Sequence, residues 1–275
     1  MPRKPSTESH QQQAFWRDPA LPFVESRRAC HSRACYRPHS HPTYSIGAVD
    51  AGRSLFSGAA EQPIALSPGT LVFVPAMRVH ACNPAPDTSW SYQMLHLDAD
   101  WLQALRVEYA TAIADEPIRI LAEPALYRRF YQLNALLFSS AEHADKEAAL
   151  IEFIGDQDVA HLAAIQVPLP DSGGSERLHP ALQRLARTPH EDVPLAELAG
   201  LVGMSRYQLI RAFRRSTGLT PHAWQLNQRI NLARERMRAG ADIASVAHDL
   251  GFADQAHFQR LFKAHTGVTP GRYRA

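Results

Sequence analysis

Four histidines near the start of the chain have types and spacings that suit metal binding. His39 and His41 form a His-x-His pair in RPHSHPTYSIG, His80 follows in PGTLVFVPAMRVHACNP, and His96 lies in YQMLHLD. On a β-strand, such a pair points both rings to the same side. With His80 it could supply three nitrogens to zinc or another divalent metal, with His96 or Cys82 as the fourth ligand of a tetrahedral site.

The same histidines also suit two other roles, and the residues alone leave the choice open. They could line a small-molecule pocket, or they could form hydrogen bonds with loop carbonyls and serve only the fold. In a pocket, the four histidines would share the wall with further candidates, Tyr44, Arg78, Trp90 and Tyr92. An apolar barrel with a few polar groups at its mouth is where small ligands usually bind.

Short strands are the elements that must position these histidines. From about residue 15 to residue 97, apolar runs rich in β-branched and aromatic residues are separated by Gly and Pro, as at 43–49, 69–75 and 89–97. Runs of this kind with period two predict an antiparallel sandwich or barrel. In the run 89–97, one face would carry Trp90, Tyr92, Met94 and His96, and the other Ser91, Gln93, Leu95 and Leu97.

The period changes after about residue 123. Apolar residues then recur every three or four positions, which predicts two helices, around 123–140 and 145–165. The segment QVPLPDSGGSE at 166–176 combines Pro, Gly and Ser without an apolar period and predicts an interdomain linker. We therefore expect a disordered tail at 1–14, a first domain at 15–165, the linker at 166–176, and a helical domain at 177–275.

Composition excludes several classes of protein. The 275 residues are 45% hydrophobic and 20% charged, which is typical of a folded chain. No apolar run approaches the roughly 18 residues that a membrane helix needs, and the start MPRKPSTESHQQQ lacks the apolar core of a secretory signal. Three irregularly spaced cysteines favour reduced thiols over a disulfide framework. We expect a cytoplasmic protein with no membrane partner.

The net charge of +2 conceals an asymmetry between the two parts of the chain. Residues 177–275 carry 15 Lys and Arg against 7 Asp and Glu, whereas residues 1–176 carry 14 against 20. A basic domain joined to an acidic one suggests an anionic polymer as the partner of the basic domain. Charge alone is also compatible with a solvated surface. The positions of the charged residues are therefore needed to distinguish this alternative from an anionic partner.

An internal repeat indicates where the charged residues of this domain lie. Helical spacing predicts helices at 177–187, 194–200, 205–217, 221–239, 243–250 and 254–266. Among them, Leu195, Leu198, Ala199, Val202, Gly203 and Met204 recur 48 positions later as Ile243, Val246, Ala247, Leu250, Gly251 and Phe252. At an offset of 49, Leu209, Arg211, Phe213, Gly218, Thr220 and Pro221 recur as Phe258, Arg260, Phe262, Gly267, Thr269 and Pro270.

Each copy predicts a short helix, a turn at glycine and a longer helix with one basic side. Such a helix-turn-helix unit places its second helix in the major groove of DNA. A purely stacking repeat is disfavoured, because a solenoid needs about three copies.

These motifs resemble the two helix-turn-helix units of the AraC/XylS family of bacterial transcription regulators. Residues 243–273, IASVAHDLGFADQAHFQRLFKAHTGVTPGRY, resemble the second unit, and residues 194–221 resemble the first. The resemblance implies two recognition helices held by the long helix at 221–239, which enter successive major grooves on one side of double-stranded DNA.

Position within these helices selects the side chains expected to contact DNA. Arg pairs with guanine and Gln with adenine in bidentate geometry, whereas contacts with phosphates give affinity and salt dependence. The expected base contacts are Ser205, Arg206, Tyr207, Gln208 and Arg211 in the first helix and Gln255, His257, Gln259 and Arg260 in the second. The expected phosphate contacts are Arg214, Arg215 and Lys263, and the expected core residues are Leu209, Phe213, Phe258 and Phe262.

The histidine pattern resembles the two-part signature of the cupin barrel, which regulators of this family commonly carry as a sensor. We therefore expect an α+β multidomain fold in which a cupin-like barrel with following helices precedes an all-α double helix-turn-helix domain. The resemblance also implies a homodimer formed through those helices. Metal cupins carry a Glu soon after His-x-His, whereas this chain has Thr43, Tyr44 and Ser45, and Met77 stands where the second motif prefers Gly.

The expected function is sequence-specific regulation of transcription, controlled by a small molecule or a metal in the barrel. RNA polymerase is a candidate partner. A metal-dependent enzyme is the competing class, which the missing Glu and the lack of a recognisable catalytic arrangement disfavour. A third alternative is a regulator without a small ligand, controlled by its abundance or by a protein partner.

Overall fold

The computed structural model describes residues 12–58, 62–108, 116–159, 165–167 and 175–274. The described part forms an N-terminal domain of two sheets and three helices, followed by a C-terminal domain made of helices. The expected α+β multidomain architecture is therefore confirmed. Residues 1–11 of the predicted tail and residues 168–174 of the predicted linker lie outside the described residues.

Ten strands build the N-terminal domain within the described ranges. Their bounds are β1 (Gln12–Arg17), β2 (Val24–Ser32), β3 (Tyr44–Ala51), β4 (Ser54–Ser57), β5 (Ile64–Leu66), β6 (Leu71–Val74), β7 (Ala81–Pro84), β8 (Trp90–Leu97), β9 (Ile118–Leu121) and β10 (Ile165–Val167). The larger sheet has the order β1-β2-β8-β3-β6-β9-β10, and the smaller one β5-β4-β7. Neighbouring strands are antiparallel, as the period-two pattern predicts.

Alternate side chains of β8 pack into two different hydrophobic cores. Trp90 and Tyr92 face the smaller sheet and pack with Phe56, while Leu95 and Leu97 face the opposite side. On that side the larger sheet is covered by helices α1 (Ala99–Glu108), α2 (Pro124–Leu137) and α3 (His143–Val159). The prediction of two faces on this strand is confirmed.

Three boundaries differ from the expectation. β1 begins at Gln12 and pairs with β2, so residues 12–14 belong to the sheet and not to the tail. α3 contains Gly155 without interruption and ends at Val159, whereas a helix to residue 165 was expected. Residues 165–167 form β10 beside β9, so the first two residues of the expected linker lie in the sheet. β10 has only three residues, too few for a period-two pattern to be recognised.

Seven helices form the C-terminal domain over residues 175–274. They are α4 (Ser175–Arg187), α5 (Leu195–Leu201), α6 (Arg206–Thr217), α7 (Pro221–Arg238), α8 (Ile243–Asp249), α9 (Gln255–Thr266) and α10 (Pro270–Arg274). α10 was not expected from the sequence. Thr220 caps α7, because its hydroxyl accepts a hydrogen bond from the amide of Ala223 at 3.2 Å. None of the helices in the described ranges is long and apolar enough to cross a membrane.

The two copies of the repeat have the same local geometry. α6 and α9 end at Gly218 and Gly267, whose φ angles of 77° and 76° are in the left-handed region. The inner faces of both helices are anchored by phenylalanines with no exposed surface, Phe213 in α6 and Phe258 and Phe262 in α9. Each copy therefore has its own small core and presents its outer face to solvent.

Candidate functional site

The first candidate surface is the outer face of α6. A capping box begins this helix, because the Ser205 hydroxyl accepts from the Gln208 amide at 3.2 Å and the Gln208 side chain accepts from the Ser205 amide at 2.9 Å. These two predicted base-contacting side chains therefore also fix the start of the helix. Arg206, Arg214 and Arg215 are exposed, as contacts with DNA require.

Tyr207 and Arg211 lie one helical turn apart on the same face. Tyr207 is 68% exposed, and the Arg211 guanidinium lies 5.7 Å from its ring centroid. Arg211 also donates a hydrogen bond to the Tyr207 hydroxyl at 3.3 Å. Both side chains are exposed, and their contact with bases stays a prediction that this exposure permits.

α9 presents the equivalent face of the second copy. Gln255, Gln259, Arg260 and Lys263 are exposed along it, and Arg260 occupies the place of Arg211. His257 is half-buried, and its ring packs against Phe252 with the centroids 6.1 Å apart, so only part of it faces solvent. The four residues expected in the core are fully buried, as predicted, namely Leu209, Phe213, Phe258 and Phe262.

The second candidate site is a cavity where the barrel meets the C-terminal domain. The barrel contributes Phe15, Glu25, Arg27, Tyr36, His39, His41, His80, Cys82, Trp90, Tyr92, Met94 and His96, and the C-terminal domain contributes Arg234, His265, Thr266 and Tyr273. Aromatic rings and imidazoles form most of its wall, and both domains supply polar groups. An occupant of this cavity would contact both domains at once.

Six of the eight expected pocket residues line this cavity, and Tyr44 and Arg78 do not. Tyr44 lies on the helix-covered face of β3, where its hydroxyl donates to Glu116 at 2.8 Å, because alternation along the strand turns it away from the cavity. Arg78 acts on the site through its backbone, because its carbonyl accepts a hydrogen bond from Nδ1 of His80 at 2.9 Å.

Three of the expected metal ligands converge. His39, His41 and His80 each place a ring nitrogen within 4.8 Å of the others. The His-x-His pair lies on the loop before β3 and not on a strand, but His39 forms an isolated β-bridge with His80 that holds the two segments together. The ring centroids of these two residues are 4.8 Å apart.

His96 does not belong to that group. Its ring centroid is 5.0 Å from that of His41, and its Nδ1 lies 3.2 Å from the Thr43 hydroxyl. Cys82, the other candidate for a fourth ligand, also faces the cavity, and burial raises the pKa of its thiol to about 12. The described cluster therefore has three imidazoles and no fixed fourth ligand.

Burial determines the protonation of these imidazoles. It lowers the pKa of His39 and of His41 well below the ordinary value, and the neighbouring imidazoles lower both further. Burial also lowers the pKa of His80, and it is the main reason that the pKa of His96 is about 3. The rings are therefore neutral near pH 7 and can act as donors of a lone pair.

A charged cluster joins the domains at the edge of this cavity. Glu25 accepts from Arg17 at 2.8 Å and from Arg238, at the end of α7, at 2.5 Å. Burial alone would raise the pKa of Glu25, but Arg238, His96 and Arg17 lower it to about 2. Arg17 also donates to the carbonyl of Tyr273 at 2.7 Å, so β1 is tied to α10.

Ser40, between the two cluster histidines, is bound to α7 through all its polar groups. Its amide donates to Asn227 Oδ1 at 3.1 Å, Asn227 Nδ2 donates to its hydroxyl at 3.0 Å, and Asn231 Nδ2 donates to its carbonyl at 2.9 Å. Nearby, the Arg37 amide donates to the carbonyl of Ala264 in α9 at 2.9 Å. The histidine loop is thus part of the domain interface.

Sequence reasoning missed the interface residues in the cavity. Arg27 is buried and donates to the carbonyl of Thr266 at 2.7 Å and to the hydroxyl of Tyr36 at 2.9 Å. A charged residue in a strand of alternating character gives no sign that it will face another domain.

The sequence matches two family models. Residues 22–154 match the AraC-like ligand binding domain, and residues 198–275 match a helix-turn-helix domain. A similar curated protein is the uncharacterized HTH-type transcriptional regulator YbfI of Bacillus subtilis, 25% identical over 248 residues that cover 87% of each chain. The arabinose operon regulatory protein of Salmonella typhimurium is 24% identical over 254 residues, covering 87% of this chain and 86% of that protein.

Solved structures agree on the fold. ToxT of Vibrio cholerae, in its form bound to an unsaturated fatty acid, matches with a TM-score of 0.55 and 14% identity over 99% of this chain and 96% of ToxT. Another crystal form of ToxT gives a TM-score of 0.55 at 12% identity, over 96% and 97% of the two chains. At such identities the match establishes the shared fold alone.

Proposed function

The chain belongs to the AraC family of helix-turn-helix transcriptional regulators, and on that basis we propose that an effector in the interdomain cavity controls how α6 and α9 read a specific operator. One observation carries the proposal: the cavity is lined by both domains. A ligand shifts an equilibrium only if it binds one arrangement better than another. An effector in this cavity contacts both domains when they are together and loses some of those contacts when they separate. It therefore binds the two arrangements with different affinity.

The wall of the cavity indicates the class of effector. Neutral imidazoles and aromatic rings suit a partly apolar organic molecule. Among the described residues, the Arg234 side chain has no carboxylate partner; its hydrogen bond is with the Tyr273 hydroxyl at 3.4 Å. A negatively charged group on the effector would be attracted to this guanidinium. The fatty acid that the solved ToxT structure binds supports control by small organic acids in a protein of this fold.

The reading of DNA is assigned to the two exposed faces. Arg211 and Arg260 occupy equivalent places, and each can pair with a guanine, while Arg214, Arg215 and Lys263 neutralise phosphates. The regulator acts in the cytoplasm, on double-stranded DNA, and contacts RNA polymerase at its promoters.

Self-association through α2 and α3 is part of the proposal. The apolar side of these helices packs on their own sheet, but Tyr131 of α2 is 52% exposed and stands beside Tyr127, with the ring centroids 6.5 Å apart. Tyr127 is half-buried, and the exposed ring of Tyr131 supports a contact with a second copy. Light scattering during gel filtration should give the mass of a dimer for the wild type and a lower average mass for Tyr131→Ala.

Selection of genomic fragments by the purified full-length protein tests the function. The expected result is one recurrent sequence motif among the bound fragments. A random set of fragments would overturn the proposal that the protein recognises a specific operator. Small organic acids are then screened by thermal melting, since a ligand that binds the folded state raises the melting temperature. A hit should lose its effect in Arg234→Gln, whereas Arg128→Gln, on the exposed side of α2, should respond like the wild type.

A further inference from the structure

The three imidazoles of the histidine cluster are oriented by the same kind of hydrogen bond. Each imidazole bonds, through Nδ1, a carbonyl two residues away: His39 with Arg37 at 2.7 Å, His41 with Thr43 at 2.8 Å, and His80 with Arg78 at 2.9 Å. A carbonyl only accepts, so Nδ1 carries the proton in all three rings. Every Nε2 is therefore left with a free lone pair, the arrangement that orients histidines toward a metal ion.

These lone pairs have almost nothing else to bind. Among the described residues, Nε2 of His39 and Nε2 of His80 have no hydrogen-bond partner, and Nε2 of His41 has only the Ser45 hydroxyl at 3.5 Å. His41 and His80 are 3% and 5% exposed. His39 is half-buried, and the three neutral imidazoles, with ring nitrogens within 4.8 Å of one another, form a set of acceptors that a single cation can share.

We propose that His39, His41 and His80 bind one divalent transition-metal ion through their Nε2 atoms, with zinc as the favoured ion, and that the ion couples the barrel to the recognition helices. Imidazoles suit zinc and its neighbours in the transition series, whereas magnesium and calcium require oxygen ligands. Glu25, the carboxylate in this cavity, is already bound to Arg17 and Arg238. Zinc bound to three nitrogens keeps a fourth position for another ligand.

The charge of Arg234 selects that fourth ligand. Arg234 lines the same cavity and acts electrostatically on all three imidazoles. A cation placed beside a guanidinium is repelled unless an anion lies between them. The open position therefore takes hydroxide or the acid group of the effector, which would bind the metal and Arg234 together.

The segments that carry the ligands are also those that hold the C-terminal domain. Ser40, between His39 and His41, is hydrogen-bonded to Asn227 and Asn231 of α7. Val79, next to His80, packs against Gly218 at the end of α6, where an added Cβ would lie 3.2 Å from its side chain. Zinc bonds of roughly 2.1 Å require the ring nitrogens to approach closer than their present separation of up to 4.8 Å. Binding therefore displaces residues that contact both α6 and α7.

Metal titration of untagged, chelator-treated, full-length protein tests the inference. Zinc is followed by calorimetry, cobalt by its visible absorption, and magnesium serves as the negative control. We expect one zinc per chain, and a loss of affinity of roughly 100-fold or more in His39→Ala and in His80→Ala. His190→Ala, an exposed histidine of the C-terminal domain, should bind like the wild type. Circular dichroism without metal identifies any variant that fails to fold, and His80→Gln then replaces it.

The coupling is measured on a DNA fragment recovered by the genomic selection, with and without zinc, and this half of the inference rests on the proposed function. Zinc should change the affinity of the wild type for this fragment at least several-fold. Asn227→Ala keeps all three ligands and should bind one zinc with a smaller effect on DNA. Absence of stoichiometric zinc binding overturns the metal site, and zinc binding without a change in DNA affinity overturns the coupling. In both cases DNA binding by the metal-free protein shows whether the proposed function still stands.

Discussion

Glu25 of β2 and Arg238 of α7 form an ion pair of 2.5 Å across the boundary between the two domains, 213 residues apart in the chain. The Glu25 side chain is 7% exposed, whereas that of Arg238 is 40% exposed. Glu25 is therefore the buried member, and Arg238 and Arg17 reach it from opposite domains. This arrangement makes a single carboxylate responsible for much of the electrostatic attraction at the edge of the cavity.

Replacement of Glu25 by Gln should loosen the domain interface. The amide keeps the shape but leaves two guanidinium groups without their counter-charge, and hydrogen bonds to charged groups contribute about 1.5–3 kcal/mol. We expect the free energy of unfolding in urea to fall by about that amount, with faster proteolysis between the domains. Glu152→Gln, on the exposed side of α3, is the control and should unfold like the wild type. An unchanged unfolding curve for Glu25→Gln would show that the pair does not hold the domains together.

The contribution of Glu25 should depend on pH in the acid range. Arg17 from β1, Arg238 from α7 and His96 from β8 surround this carboxyl, and its pKa is about 2 against an ordinary 4.5. A lowered pKa stabilises the fold fully above pH 4.5, and this stability is lost as the pH falls from 4.5 to 2. The total is about 3 kcal/mol, since one pKa unit corresponds to about 1.4 kcal/mol.

The measurement compares wild type and Glu25→Gln at several values of pH. The difference between their free energies of unfolding should be constant from pH 5 to 7 and should shrink toward zero as the pH approaches 2. Other carboxylates titrate in both proteins and cancel from the difference, whereas His96, whose pKa Glu25 raises, titrates in the same acid range and is part of the measured effect. A difference that stays the same at pH 3 would contradict the lowered pKa.

Substitution of the glycine that ends a recognition helix should destabilise the protein by more than backbone strain alone. Gly267 has a φ of 76°, and an added Cβ would lie 2.4 Å from the hydroxyl of Tyr36 in the N-terminal domain. Gly240 has a φ of 88° with open space around it, so Gly240→Ala reports the backbone strain alone, about 1–2 kcal/mol. Gly267→Ala should cost about 1–3 kcal/mol more, because overpacking adds to the strain.

Denaturation in urea of the two alanine variants measures this difference. The new Cβ would also lie 2.7 and 2.8 Å from ring carbons of Tyr36, so the matched change is Tyr36→Ala, which removes the whole ring. The double variant with Gly267→Ala should lose less stability than the sum of the two single variants. Equal stability of Gly240→Ala and Gly267→Ala would mean that the recognition helix does not lie against the barrel.

The fold of this chain follows from its sequence where elements are long or repeated. The period-two runs predicted β3, β6 and β8, and the offset between Gly218 and Gly267 predicted two equivalent helix ends. The helix α1 and the strands β9 and β10 were missed, because each is short and lies in a stretch without clear periodicity. Their position is determined by contacts with the rest of the sheet, which the local sequence does not specify.

The candidate cavity was predictable only in part for a similar reason. The histidines were recognised because their residue type is rare and chemically specific, and three of them converge. Tyr44 was expected in the pocket, but the alternation along β3 turns its side chain to the helix-covered face of the sheet. Arg234 and Tyr273 line the cavity from the other domain, and no local pattern predicts a contact between residues so distant in the chain.

Base reading should depend on the two equivalent arginines. Arg211→Ala and Arg260→Ala should each weaken binding to the selected operator by about 1–3 kcal/mol, which is roughly 5- to 150-fold, and relax the preference at one base position. Arg128→Ala is the matched control, an exposed arginine on α2 of the N-terminal domain. Fluorescence anisotropy on the operator and on single-base variants measures both effects. Wild-type affinity and selectivity in both variants would remove these residues from the interface.

Contacts with phosphate should have a different signature from contacts with bases. Lys263 and Arg214 are exposed beyond the base-reading part of α9 and α6, so each should neutralise one phosphate. Lys263→Ala and Arg214→Ala should therefore weaken binding to operator and random DNA by the same factor. Each should also reduce the slope of log affinity against log salt concentration by about 0.9, because one fewer counterion is released. Anisotropy titrations at salt concentrations from about 50 to about 200 mM measure this change. A loss confined to the operator, with the slope unchanged, would instead make these side chains readers of bases.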